Sequence, residues 1–319
     1  MALDRQTKEL LEQLASMAAA NDAPAQVKPD ISIVRQAAHA IWLAYAGVAD
    51  PDCDVRELSI AGPAGAIPAR LYRPPGIDKP TPLVVFLHGG GWSLGDLDSY
   101  DGLMRSLAVG SGTRMLSVDY RLAPEHKYPA GLEDAESAVE WAIAHAVELG
   151  AKPQCVAVMG DSAGGNLATV VAHRLHSRTS RRLAAQFLLY PVIDVSQPHA
   201  TYRSRITMGD GEYLLTRDGI DDSVRWYLDG ATRSDDPSIS PQCLQRLDIL
   251  PPTLIITAGF DPLRDEAEAY AERLRVAGVP THVECFESAI HAFLSFGVLD
   301  LAQSARRYLA NEIRCLMSC

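Results

Sequence analysis

The spacing of apolar residues changes several times along the chain, and each change marks an element. Residues 3–20 interleave Asp4, Arg5, Lys8, Glu9 and Glu12 with Leu3, Leu10, Leu14 and Met17, which predicts an amphipathic helix. A polar linker, 21–29, leads to a second helix over 32–45, with Ile33, Ala37, Ile41 and Leu43 on its apolar face and Trp42 beside it. From Val55 the period falls to two and predicts a hairpin turning around Gly62 to Gly65, ended by Pro74 and Pro75. Beyond it, short strands at 83–87, 114–118, 155–159, 184–190, 253–258 and 281–286, of which 83–87 and 155–159 are wholly apolar, alternate with helical patterns over 100–109, 131–149, after 163, and over 301–316. Such strands separated by helices predict an α/β protein whose mostly parallel sheet is covered on both faces. Residues 191–252 break the alternation, being too long for a connector and too ordered for a linker, with a helix near 218–228. One α/β domain spanning 1–319 is expected, with a helical cap formed by 1–50 and about 191–235.

The residues that carry chemistry stand at the ends of those strands. The run 155–159 stops at Gly160-Asp161-Ser162-Ala163-Gly164, and a helix rich in small residues follows at once. Small residues two before and two after Ser162 permit a turn so tight that side chains there would strike the neighbouring strand and helix. The free amides and positive dipole end of that helix face the place where an oxyanion would form. A serine is a weak nucleophile alone, so a histidine base, an orienting acid and further oxyanion donors are required elsewhere. After 83–87 comes His88-Gly89-Gly90-Gly91-Trp92, where three glycines let backbone N–H groups approach a ligand. A phosphate loop is disfavoured, because no lysine follows. His88 is expected to brace the loop rather than to act as a base. Asp261 follows the strand 253–258, at the carboxyl end where the sites of open parallel sheets collect. Asp265, four residues on, fits the acidic first turn of a helix. His291 is placed on the loop after the last strand, and the order Ser162, Asp261, His291 is that of the α/β-hydrolases.

HGGGW at 88–92, DYRLAPE at 119–125, GDSAGGN at 160–166, DPLRDE at 261–266 and the late His291 together resemble the bacterial hormone-sensitive-lipase family of carboxylesterases. The match runs in order from about residue 55 to 295. The resemblance implies an α/β-hydrolase fold with a central eight-stranded sheet, a capped site and no cofactor. It also implies that the N–H groups of Gly90, Gly91 and Ala163 are the oxyanion donors. One departure is the loop Ala289-Ile290-His291-Ala292, where family members often carry glycines around the histidine.

Composition narrows the partners. A formal net charge of −11 argues against a nucleic-acid backbone as ligand. The charged N-terminal residues do not fit a secretory signal, and the longest apolar run, 40–49, is too short to span a bilayer. Cys53, Cys155, Cys243, Cys285, Cys315 and Cys319 are scattered without a CxxC, so free thiols in a reducing cytoplasm and no metal site are expected. The expected partner is a small-molecule ester, and a homodimer is compatible with the sequence. The chemistry expected is hydrolysis of short- to medium-chain acyl esters through an acyl-enzyme. An amide, carbamate or formamide hydrolase shares every motif, whereas a non-catalytic receptor of the same fold would be expected to lack one of Ser162, Asp261 and His291. Charged residues mixed into the cap segments favour a closed pocket over an oil-binding lid. Its expected walls include Trp42, Trp92, Met208, Tyr213, Leu214 and Ile290, with Ile41, Tyr45, Phe260, Leu263 and Phe293 nearby.

Overall fold

The predicted strands lie side by side in one sheet of the computed structural model, which describes residues 2–20 and 30–318. The predicted linker 21–29 lies outside the described residues. The hairpin forms as its period predicts, β1 (Asp54–Gly62) pairing with β2 (Gly65–Arg73) with Ile60 opposite Ile67. The later strands are β3 (Thr81–Leu87), β4 (Arg114–Val118), β5 (Ala151–Asp161), β6 (Gln186–Leu189), β7 (Thr253–Phe260) and β8 (Thr281–Ile290). They form one sheet in the order β1-β2-β4-β3-β5-β6-β7-β8, in which β2 alone runs opposite to all the other strands.

The central strands β3 and β7 are buried along nearly their whole length because each face of the sheet is covered. Leu83, Val85 and Leu87 of β3 join the cluster built with α4 (Ala130–Ala144), α5 (Ala163–Arg178) and α8 (Arg264–Val276). Val84 and Phe86, one residue out of phase, join the opposite cluster with α3 (Asp101–Ser111) and α9 (Asp300–Leu316). An amphipathic α1 (Arg5–Ala20) adds Leu10 to that second layer.

Three expectations change. The second helix, α2 (Ile31–Tyr45), is capped by Asp30 and turns Val34, Ala38, Ile41 and Trp42 inward, leaving Ile33 and Leu43 exposed. Apolar residues lie on most sides of this helix, so periodicity could not choose the buried face. Residues 287–290, read as a loop, continue β8, with Ile290 pairing Phe260 after a register shift. Polar Glu287 and Ser288 hid that extension because β8 is an edge strand with solvent beside it. Cys53, Cys243, Cys285 and Cys315 are free, but Cys155 is disulfide-bonded. Scatter in sequence could not reveal this, since the fold brings the end of α9 onto β5, with the Met317 carbonyl 3.3 Å from Cys155 Sγ. Among the described residues no helix is long and apolar enough to cross a membrane.

The 191–252 insertion carries α6 (Arg203–Met208) and α7 (Arg217–Tyr227) and is bolted to α8 by a buried ion pair. Arg205 Nε donates to Glu266 Oε2 at 2.8 Å, and the other Glu266 oxygen accepts the Ile193 and Asp194 amides at 2.8 and 3.2 Å. The Arg205 guanidinium also reaches the Asp194 carbonyl. Neither side chain has meaningful exposure, so removing one partner strands a charge in the interior. Arg205→Met is expected to lower unfolding stability by about 3–5 kcal/mol in a urea titration. A loss below about 1 kcal/mol would show that this pair does not hold the insertion.

Candidate active site

β5 ends at Asp161 and α5 begins at Ala163, leaving Ser162 alone in the turn at φ 52° and ψ −119°. The flanking glycines are a packing requirement. A Cβ on Gly160 would fall on the Gly164 backbone, and one on Gly164 would fall on the Leu87 and His88 carbonyls. The turn is held by Ser162 N–H donating to the Leu189 carbonyl at 2.8 Å, and by the Ser162 carbonyl accepting Val192 N–H at 3.0 Å. The serine hydroxyl does not cap α5. It lies 3.0 Å from His291 Nε2 instead.

His291 directly follows β8, and its Nδ1 lies 2.7 Å from Asp261 Oδ2. The remaining Asp261 oxygen accepts Leu263 N–H at 2.8 Å, which locks the carboxylate's orientation. Asp261 is completely buried, and Ser162 and His291 keep only 8% and 6% exposure, enough for a substrate to reach them from one side. Asp265 is elsewhere: it pairs with Arg264 and accepts the Ser204 amide at 2.8 Å, so it anchors α6. The missing glycine after the histidine has a visible consequence. Ala292 adopts φ 59°, a left-handed conformation costing an L-residue about 1–2 kcal/mol.

The glycine loop is tied down from behind. Asp161, inside the serine motif, is buried, and its oxygens accept Gly89 N–H at 2.6 Å and the Tyr100 hydroxyl at 3.1 Å. His88 does brace the loop: its Nδ1 lies 2.8 Å from the Gly89 carbonyl and its ring is sandwiched between Tyr100 and Tyr120. Burial pushes its pKa down to about 4, so the ring is neutral. Tyr120 donates to the His88 carbonyl at 2.6 Å. The Gly90 carbonyl is consumed within the loop by Ser93 and Leu94 amides. Among the described residues no protein acceptor takes the N–H groups of Gly90, Gly91 or Ala163.

A cavity of about 440 Å³ opens over Ser162 and His291, roofed by α2 and α7. Of the expected wall residues, Trp42, Trp92, Leu214, Ile41 and Leu263 line it, together with Gly90 and Gly91. Met208, Tyr213 and Ile290 do not. Ile290 is spent in the β7–β8 pairing, Tyr213 packs on Phe260, and Met208 fills the second core layer. Tyr45, Phe260 and Phe293 also stand outside the cavity. Sequence reasoning missed Val34, which α2 turns into the cavity, and Val192, Ser223 and Trp226, which reach it through the path of the insertion, and it gave Asp161 and Tyr100 no role. A carboxylate at the variable position of the serine motif was visible, but its partners on a different loop were not.

The sheet order, the strained serine turn and the roofed cavity define a protein of the α/β-hydrolase class. A family model described as alpha/beta hydrolase fold matches residues 84–295. The carboxylic ester hydrolase LipN of Mycobacterium tuberculosis is 47% identical over 273 residues, covering 81% of this chain and 71% of the relative. Among solved structures, an ester-hydrolase from the metagenome of Lake Arreo, complexed with a derivative of bipyridine phosphonate, superposes with a TM-score of 0.94 at 32% identity, covering 99% of this chain and 100% of that one. A hyperthermophilic esterase from the archaeon Pyrobaculum calidifontis superposes with a TM-score of 0.91 at 36% identity, covering 99% of each chain. The chain belongs to this family, among the hormone-sensitive-lipase-like carboxylesterases.

The buried Asp161 carboxyl has a measurable signature. Burial pushes its pKa up to about 7, with the Gly89 amide and the Tyr100 hydroxyl opposing the rise. Between about pH 4 and pH 7 the folded protein therefore retains a proton that the unfolded chain has released. The stability this confers is complete below about pH 4 and is lost as pH rises through 7. Asp161→Asn removes that titration while keeping an acceptor for Gly89. The melting temperature of the wild type is expected to fall relative to the variant from pH 4 to pH 7. Parallel curves would exclude an upward-shifted Asp161.

Proposed function

We propose that this carboxylesterase cleaves short- to medium-chain esters of soluble acids through an acyl-enzyme on Ser162, with 1–50 and about 191–235 acting as the cap of the site. The supporting observation is the single line of hydrogen bonds from Ser162 Oγ to His291 Nε2 at 3.0 Å and from His291 Nδ1 to Asp261 Oδ2 at 2.7 Å, opening into an apolar cavity. Asp261 accepts the Nδ1 proton, which leaves Nε2 free to accept one from the serine. As Oγ attacks the ester carbonyl, His291 takes the hydroxyl proton and Asp261 stabilises the imidazolium. The carbonyl oxygen gains a negative charge, and the unaccepted amides of Gly90, Gly91 and Ala163 are the donors suited to it. Collapse expels the alcohol with the proton from His291. Water then attacks the acyl-enzyme by the same steps in reverse roles, and the acid leaves.

The cavity argues for the substrate's size. At about 440 Å³ it stands near the small end of ligand sites. Trp42, Trp92 and Trp226 wall it. Each methylene buried before the wall is met adds about 0.8 kcal/mol, or roughly a fourfold gain in kcat/KM. Growth beyond the wall must displace those indoles.

With chromogenic esters of increasing acyl length, kcat/KM is expected to climb from acetyl to a maximum near butyryl or hexanoyl and to fall steeply by dodecanoyl, without activation by an oil interface. A preference for emulsified long-chain triglyceride would reject this reading of the cavity. For the chemistry, Ser162→Ala is expected to remove turnover with the fold intact, and Asp261→Asn to lower kcat about ten-thousandfold. Asp265→Asn should stay within about tenfold, because its carboxylate serves α6. Equal losses at the two aspartates would reassign the acid. Matched anilides should be cleaved far more slowly than the esters, and the reverse ranking would make the enzyme an amidase.

A further inference from the structure

The glycine loop is gripped from the insertion as well as from the sheet. Trp92, at its end, sits at φ 58°, a left-handed conformation that a tryptophan keeps only where its surroundings over-determine it. Its ring lies flat on Tyr227 of α7, with centroids 4.4 Å apart and planes 5° from parallel, and both residues are 2% exposed. Its carbonyl accepts Ala123 N–H at 2.9 Å. One residue earlier, a Cβ on Gly91 would fall on the Ser223 side chain. Ser223 and Tyr227 stand four apart on α7, so one helix face touches two successive loop residues.

That face is itself held in place. Tyr128 N–H donates to the Tyr227 carbonyl at 2.8 Å, and Lys127 Nζ donates to the Leu228 carbonyl at 2.7 Å. The 119–128 segment therefore brackets both structures, reaching the glycine loop through Tyr120 and Ala123 and α7 through Lys127 and Tyr128. Tyr227 does not line the cavity, and its buried hydroxyl has no hydrogen-bond partner, which leaves the ring face as the part that acts.

We propose that α7, through Tyr227 and Ser223, is the positioning element of the oxyanion loop, so that Gly90 and Gly91 reach working geometry only while the insertion is seated. The inference rests on reading those amides as the oxyanion donors. Displaced donors lose contact with charge that develops only in the transition state, so kcat falls while ground-state binding holds.

The experiment compares the wild type with Tyr227→Phe, Tyr227→Leu and Ser223→Val, measuring kcat per titrated Ser162, KM for a butyryl ester, and the inhibition constant of a matched trifluoromethyl ketone, whose serine adduct carries an oxyanion. Tyr227→Phe should stay within about twofold, since it keeps the stack. Tyr227→Leu and Ser223→Val should each lose about 10- to 100-fold in kcat, with KM within about twofold and ketone affinity falling by the same factor. If Tyr227→Leu does not fold, Ser223→Val decides alone, because Ser223 is only partly buried and its hydroxyl bonds only to the Gly219 carbonyl of its own helix. A rise in KM with kcat and ketone affinity unchanged would reduce α7 to a pocket wall and overturn the proposal. So would a Tyr227→Phe variant as slow as Tyr227→Leu. A wild type that binds the ketone no better than the matching methyl ketone would instead remove the oxyanion reading beneath it.

Discussion

Between β5 and α5 the chain reverses at one residue held at φ 52° and ψ −119°, and much of the molecule is arranged to keep it there. Strain of this kind survives only where neighbours leave no alternative. Here β5 is paired on both sides, by β3 and β6, and α5 lies against the sheet closely enough that Gly164 has no room for a side chain. The turn amide and carbonyl are both consumed by the β6 strand and the residues after it. The hydroxyl is then the one polar group of Ser162 left to reach His291. A softer sheet would let the turn relax, and the serine would become an ordinary N-cap.

The second constraint is polar and lies one layer beneath. Asp161, His88, Tyr100 and Tyr120 form a buried assembly under the glycine loop, with two hydrogen bonds to loop backbone from Asp161 and Tyr120 and ring stacking around a neutral histidine. Flexible glycines can adopt the backbone that a donor loop requires, but they cannot hold it. The rigidity is supplied by groups that flank the loop. Asp161 is adjacent to Ser162 in the chain, so the serine turn and the loop share one support.

The insertion uses a different device for the same purpose. Arg205 and Glu266 place a charge pair in the interior, next to the aspartate-bearing end of β7, while Ser204 and Asp265 exchange hydrogen bonds at its rim. Such a pair gains little stability over well-packed apolar residues, but it accepts only one docking geometry. α2 is held more lightly. It buries no residue fully, and Arg35 ties it to the Ser93 and Ala123 carbonyls and to Glu125. The roof of the cavity thus joins α7, carried by the keyed insertion, to a helix that buries no residue fully.

How much of this was legible beforehand follows from the range of each interaction. The serine turn, the glycine loop and the strand and helix periods are local patterns, in which a residue's place depends on neighbours within a few positions, and the chain order of Ser162, Asp261 and His291 is read from the strand ends those patterns mark. The motifs from 88 to 291 carried the family for the same reason. The buried face of α2 was not legible, because Ile33, Val34, Ala37, Ala38, Ile41, Trp42 and Leu43 offer apolar surface in nearly every direction. Nor were the exclusion of Met208, Tyr213 and Ile290 from the cavity, the continuation of β8 to Ile290, or the bond at Cys155. Each of these depends on which distant segment arrives alongside. By itself the sequence determined the class of fold and the residues that converge on Ser162. Tertiary structure alone decided which side chains wall the cavity and which brace the loop, because pairings such as Tyr100 with Asp161 or Arg205 with Glu266, each 61 residues apart, follow from packing and leave no mark in local periodicity.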